Sequence, residues 1–142
     1  MRIAVASDEP YPVHATVKKL LEDRGHELAA FGAIASGTEE PWPDVAEAAA
    51  LAVASGACDE GVFFCWSGTG ISMAANKVAG VRAALCGDPG AAAAARVWNH
   101  ANVLCLSNRT LSDDMAREIL AAWLDTAPGE CGADGVARLA AV

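Results

Sequence analysis

Apolar residues along this chain come in short blocks of strand length that alternate with stretches of helical spacing. Ile3 to Ser7 is the first such block, and Val13 to Arg24 follows with Val13, Val17, Leu20 and Leu21 on one helical stripe and Gly25 as its stop. Glu27 to Phe31 reads as a short second strand. The polar stretch Gly32 to Pro43 predicts a loop, and Asp44 stands as N-cap or first-turn acid of an alanine-rich helix that runs to Ala54. Asp59 to Cys65 predicts a third strand and Ile71 to Lys77 the first turns of a helix. Arg82 to Cys86 predicts a fourth strand, and Pro89 opens a helix through Trp98, with proline suited to a first turn. Asn102 to Leu106 predicts a fifth strand, and Ser112 to Trp123 a helix with Asp113 and Asp114 at its positive end. Beyond Thr126, the residues Pro128, Gly129, Gly132 and Gly135 predict loop before a short last helix. Strands separated by helices imply a parallel sheet covered on both faces. Residues 1–142 are expected to form a single domain.

Ligands on such sheets bind beyond the carboxyl ends of the strands. That rule gathers Asp8 and Glu9 after the first strand, Cys65 to Gly70 after the third, Gly87 and Asp88 after the fourth, and Ser107 to Arg109 after the fifth. The central stretch is Phe63-Phe64-Cys65-Trp66-Ser67-Gly68-Thr69-Gly70-Ile71-Ser72-Met73-Ala74-Ala75-Asn76-Lys77. Glycines in its turn permit positive φ and bring amide groups toward an oxyanion, while the start of a helix adds partial positive charge. The same field favours a thiolate at Cys65. A nucleophilic or basic sulfur at Cys65 beside an anion hole formed by the amides from Trp66 to Gly70 is a candidate chemical site.

Charge narrows the partners. Eighteen acidic residues against ten basic ones give a formal charge of −8, and no basic block offsets it, which argues against nucleic acid and anionic membranes. No run approaches the ~18 apolar residues of a membrane span. The amino terminus enters a strand pattern with no leader-like segment, so a cytoplasmic chain is expected. Five cysteines without a C-x-x-C pairing predict neither a disulfide framework nor a zinc site. Cys86 and Cys105 read as small buried apolar residues, His14 and His26 as structural or surface residues.

The motif Cys65-x-Ser67-Gly68-x-Gly70-Ile71-Ser72-x-Ala74-Ala75-Asn76-Lys77, followed by Gly80-Val81-Arg82-Ala83, Asn99-x-x-Asn102-Val103-Leu104 and Arg109, resembles the ribose-5-phosphate isomerase B and galactose-6-phosphate isomerase family. The resemblance implies a Rossmann-like three-layer α/β/α sandwich with a five-stranded parallel sheet. It implies a homodimer or larger assembly with sites shared between subunits. It also implies aldose–ketose isomerisation without metal or cofactor, with Cys65 as the base that moves a proton between C1 and C2 through an enediolate. The residues fit that chemistry: a thiol at a helix start can be tuned near the working pH, the amides from Trp66 to Gly70 can meet the enediolate charge, and Ser67 can relay a proton to the substrate oxygen. Its substrate contacts fall on Asp8, Glu9, Trp42, Trp66, Gly68, Thr69, Gly70, Ser72, Trp98, Asn99, His100 and Arg109.

Several of those positions depart from the family pattern. Glu9 stands where the family has histidine, Trp66 where it has glycine, and Trp98 where it has the ring-opening histidine; the nearest histidine is His100. Trp42-Pro43 replaces Tyr-Pro. The tail Glu130-Cys131-Gly132-Ala133-Asp134-Gly135-Val136 has no basic residue where the family carries two phosphate-binding arginines, and Arg138 reads as a solvated helix face. A phosphate dianion needs charge-assisted donors. The expectation is therefore an isomerase, or a related epimerase, acting on a sugar or carbonyl compound other than ribose 5-phosphate and without phosphate as its handle. The alternative is a non-catalytic sugar-binding or partner subunit of the same fold.

Overall fold

In the computed structural model, which describes residues 1–142, each apolar block becomes a strand. These are β1 Arg2–Ser7, β2 Glu27–Gly32, β3 Glu60–Cys65, β4 Ala83–Leu85 and β5 Val103–Ser107. The helices are α1 Val13–Asp23, α2 Ala33–Ser36, α3 Trp42–Ala54, α4 Thr69–Ala75, α5 Pro89–Asn99, α6 Asp113–Leu124 and α7 Ala133–Leu139, with a 3-10 turn at Glu130–Gly132. The strands form one sheet in the order β2-β1-β3-β5-β4, and all neighbours run parallel.

Alternation along each strand divides the core in two. Ile3, Val5, Val62, Phe64, Leu104 and Leu106 pack with α1, α5 and α6, where Val17, Leu21, Ile119 and Trp123 meet them. Ala4, Ala6, Phe63, Cys65, Val103 and Cys105 face α3 and α4 on the other side. The alanines explain how α3 sits there: Ala46, Ala49 and Ala50 lie against the small side chains of β1, so the helix approaches the sheet closely. β3, at the centre, is buried along its whole length, as a strand covered on both faces must be. Cys58, in what the sequence presents as a polar turn, is buried in the α3/α4 layer.

Element boundaries differ from the sequence expectation in four places. α2 interrupts the stretch expected to be loop; Ala33 is buried and Ile34 partly so, an anchor too short to show periodicity. α3 starts at Trp42, which puts Asp44 in its first turn. α4 runs from Thr69 to Ala75, two residues earlier than its apolar pattern indicates, because Gly68 at φ +80° turns the chain directly into the helix. A Cβ at Gly68 would also come within 3.0 Å of the Leu106 backbone. β4 is only three residues long, as suits an edge strand.

A buried polar cluster at the amino edge of the sheet fixes α5 and α6. Arg96 pairs with Glu60 at 2.8 Å, the Trp123 indole N–H donates to the other Glu60 carboxylate oxygen at 2.8 Å, and the guanidinium lies 4.9 Å over the Trp123 ring. Arg96 also donates to the Ala101 carbonyl and to the Thr126 carbonyl. Removing Arg96 or Glu60 would leave the other's buried charge uncompensated, so the cluster locks β3, α5 and α6 together.

Candidate active site

Chain direction away from β1 reverses between β2 on one side and β3 on the other, and a cleft opens at the carboxyl ends where such a reversal occurs. Cys65 ends β3 at that point and is 5 % exposed. The ladder to β5 continues past it: the Asn108 amide donates to the Cys65 carbonyl at 2.9 Å, and the Arg109 amide to the Trp66 carbonyl at 3.0 Å. Ser107 Oγ adds a bond to the same Trp66 carbonyl at 3.0 Å. With its carbonyls tied back, the loop is left with the amides of Trp66, Ser67 and Gly68, which donate to no protein acceptor. Ser67 Oγ lies 2.6 Å from Thr69 Oγ1, and Ser72 Oγ donates to the Thr69 carbonyl at 2.8 Å. Trp42 lies over Gly70, where a Cβ would sit 3.2 Å from its ring, and is 43 % exposed. It is a wall of the loop and not a core plug.

Asp8 follows β1 on the neighbouring strand and is 7 % exposed, with a buried Oδ1 that has no hydrogen-bond partner. Burial first, and then the Glu9 charge, hold its carboxyl above the usual carboxylate range, with Glu39 adding to the effect. The Glu40 amide donates to the Asp8 carbonyl at 2.8 Å. Glu9 is half-buried and accepts from the Tyr11 hydroxyl at 3.3 Å.

Beneath these loops lies a link that the sequence reading did not single out. Asn108 Oδ1 meets His14 Nε2 at 2.7 Å, and Asn108 Nδ2 donates to Ser7 Oγ at 3.2 Å, which in turn donates to the Glu9 carbonyl at 2.7 Å. The His14 ring packs 4.6 Å from the Phe64 ring, and burial lowers its pKa. His14 is thus structural, as expected. Asn108, which the sequence reading gathered only as part of the Ser107 to Arg109 edge and gave no role, is a buried amide at the end of β5 that joins β1, α1 and the Cys65 carbonyl.

Arg109 lies at the same edge, its guanidinium 4.8 Å over the Trp66 ring and in no ion pair. The structure therefore brings together Asp8, Glu9, Trp42, Cys65, Trp66, Ser67, Gly68, Thr69, Gly70, Ser72 and Arg109. It does not bring Trp98, Asn99 and His100 to them within one chain. α5 starts at the carboxyl edge, where the Asp88 carboxylate caps it by accepting from the Ala91 amide, and its eleven residues carry Asn99 back across the sheet. The His100 carbonyl accepts from Arg82, just ahead of β4, which fixes that end at the amino edge. His100 is a hydrogen-bonded helix-end residue: at φ 46° it caps α5, and its Nε2 is bonded to the Gly129 carbonyl at 2.8 Å. Trp98 is 57 % exposed on the same turn.

A buried sulfur beside free amides, with a carboxyl above its usual range one strand away, suits proton transfer next to a carbonyl. Comparison with known proteins identifies the family. The family model described as ribose/galactose isomerase matches residues 3–140. Ribose-5-phosphate isomerase B of Escherichia coli is 41 % identical over 111 residues, which cover 78 % of this chain and 73 % of that protein. D-erythrulose-4-phosphate isomerase of Pectobacterium atrosepticum is 34 % identical over 126 residues, 88 % of this chain and 83 % of its own. Among solved structures, ribose-5-phosphate isomerase B of Clostridium thermocellum matches with a TM-score of 0.92 at 36 % identity, covering 99 % of this chain and 96 % of that one. The shared fold and a match running nearly end to end place this chain in the ribose/galactose isomerase family, and it is an isomerase.

Proposed function

We propose that this isomerase interconverts an aldose and a ketose by moving one proton between adjacent carbons through an enediolate, with the Cys65 thiolate as base. Cys65 takes the proton from the carbon next to the carbonyl; the electron pair moves onto the carbonyl oxygen, and the charge meets the amides of Trp66, Ser67 and Gly68. Ser67 relays a proton between the two substrate oxygens, and Cys65 returns its proton to the neighbouring carbon. This sequence needs no metal or redox cofactor. The observation that carries the reading is the set of unpaired amides directly following the Cys65 sulfur at the strand-order reversal.

Asp8 orients the substrate from the same chain, its partnerless Oδ1 accepting from, or protonated and donating to, a hydroxyl. Asn99 orients it from a second copy, since its own chain carries it to the far edge of the sheet; the working unit is a homodimer or larger. The surface assigned to that second copy is the open groove of about 820 Å³ beside β4, floored by Val81, Leu85 and Ala95 and walled by Val136 and Leu139 of α7. The substrate is a small sugar or carbonyl compound other than ribose 5-phosphate, because acidic side chains outnumber basic ones around the loop.

Cys65→Ala tests the mechanism. It should lower deuterium exchange at the substrate's α-carbon by about 10²-fold or more, with circular dichroism unchanged. Undiminished exchange would remove Cys65 from the chemistry.

A further inference from the structure

The loops at the carboxyl edge carry Asp8, Glu9, Glu39, Glu40 and Asp88, and a single basic residue, Arg109. A lone arginine in such company would ordinarily pair with one of the carboxylates. Arg109 pairs with none; its guanidinium lies over Trp66. The arrangement is set by the backbone, because the bond from the Arg109 amide to the Trp66 carbonyl extends the β3–β5 ladder and brings these two residues side by side. Trp66 adjoins the base and is 55 % exposed, so nothing in the core dictates its ring position. Stacking leaves the edge of a guanidinium, with its planar fork of donors, open to a ligand while removing rotamer freedom before any ligand arrives.

We propose that Trp66 is a specificity-determining residue: it holds Arg109 as a stacked, single-cation seat for the end of the substrate remote from the reacting carbonyl. One guanidinium among these carboxylates matches one negative charge. A terminal monoanion, such as a carboxylate or sulfonate, fits the seat better than a phosphate dianion, which finds no second cation on this chain's own carboxyl-edge loops and is repelled by Glu9. Trp66 acts through Arg109 and is a positioning residue. The inference rests on the isomerase reading only in placing the substrate over the loop from Trp66 to Gly70.

Equilibrium binding separates the two. Protein carrying Cys65→Ala is titrated by calorimetry with a four-carbon ketose, its 4-phosphate and the matching 4-sulfonate, alone and combined with Trp66→Leu, Trp66→Phe, Arg109→Gln or both Trp66→Leu and Arg109→Gln. The sulfonate should bind tightest. Trp66→Leu should weaken it about fivefold, the upper range for an exposed cation–π contact. Arg109→Gln should weaken it at least as much, Trp66→Phe should restore it to within twofold, and the double variant should be no weaker than Arg109→Gln alone. Additive losses, a phosphate that binds tenfold tighter than the sulfonate, or no binding of any of the three would overturn the proposal. Failure of the isomerase reading shows elsewhere, as α-carbon exchange that Cys65→Ala leaves untouched.

Discussion

Asp8 shows how one residue carries both the tension and the use of this site. Its carboxyl is buried beside Glu9, so ionising it in the folded protein is unfavourable, whereas in the unfolded chain it ionises freely. A carboxyl whose folded pKa is raised contributes stability that is fully present below its unfolded pKa and is lost as pH rises through its folded pKa. Asp8→Asn should therefore leave Tm nearly unchanged at pH 3 and raise it at pH 7. Solvent reaching the loop screens the charge and keeps the gain small, roughly 1–2 °C. A variant less stable than the parent at pH 7 would show that the carboxylate is held by donors and not strained by burial. Activity should fall in the same variant, since the amide presents a different donor pattern to the substrate.

Among the elements, the hinge of the site is the paired run at the ends of β3 and β5, with Asn108 beneath it. Asn108→Ala should destabilise the protein by about 1–3 kcal/mol, because it leaves the buried His14 Nε2 and Ser7 Oγ short of partners. Urea denaturation with an unchanged slope and a lower midpoint would be the signature; an unchanged midpoint would mean that the amide is dispensable. This is also where reading the chain from its sequence reaches its limit. The strand blocks, the alternating helices and the Cys65 loop were legible because they depend on local periodicity and on glycine at a turn. Asn108 was not, because its role arises from groups that lie 94 and 101 residues away. The Trp66–Arg109 stack was hidden for the same reason: both residues were marked as substrate contacts, but their adjacency is a property of strand pairing. Trp98, Asn99 and His100 were grouped with Cys65 by family likeness, and only the direction of α5 shows that one chain keeps them apart.

For the whole molecule, the unfinished side is the β4 edge. Leu85 and Leu139 are 43 % and 54 % exposed along the groove, a cost to an isolated chain that a second copy would relieve. Sedimentation at micromolar concentration should report a dimer or larger, and Leu139→Glu should shift it toward monomer with loss of turnover. A monomeric parent with full turnover would contradict a shared site.

With Asn99 proposed to act from a second copy, its separation from Cys65 by the full length of the sheet would make the enzyme divisible by genetics. Cys65→Ala and Asn99→Ala homodimers should each be nearly inactive, yet mixing and re-equilibrating them should restore activity. Each hybrid would pair an intact cysteine from one parent with an intact asparagine from the other at one site, while its second site lacks both. Random exchange makes half of the dimers hybrid, with one working site of two, so recovery should approach about a quarter of the parental rate. A mixture that stays silent while its subunits demonstrably exchange would place both residues' contributions within a single chain.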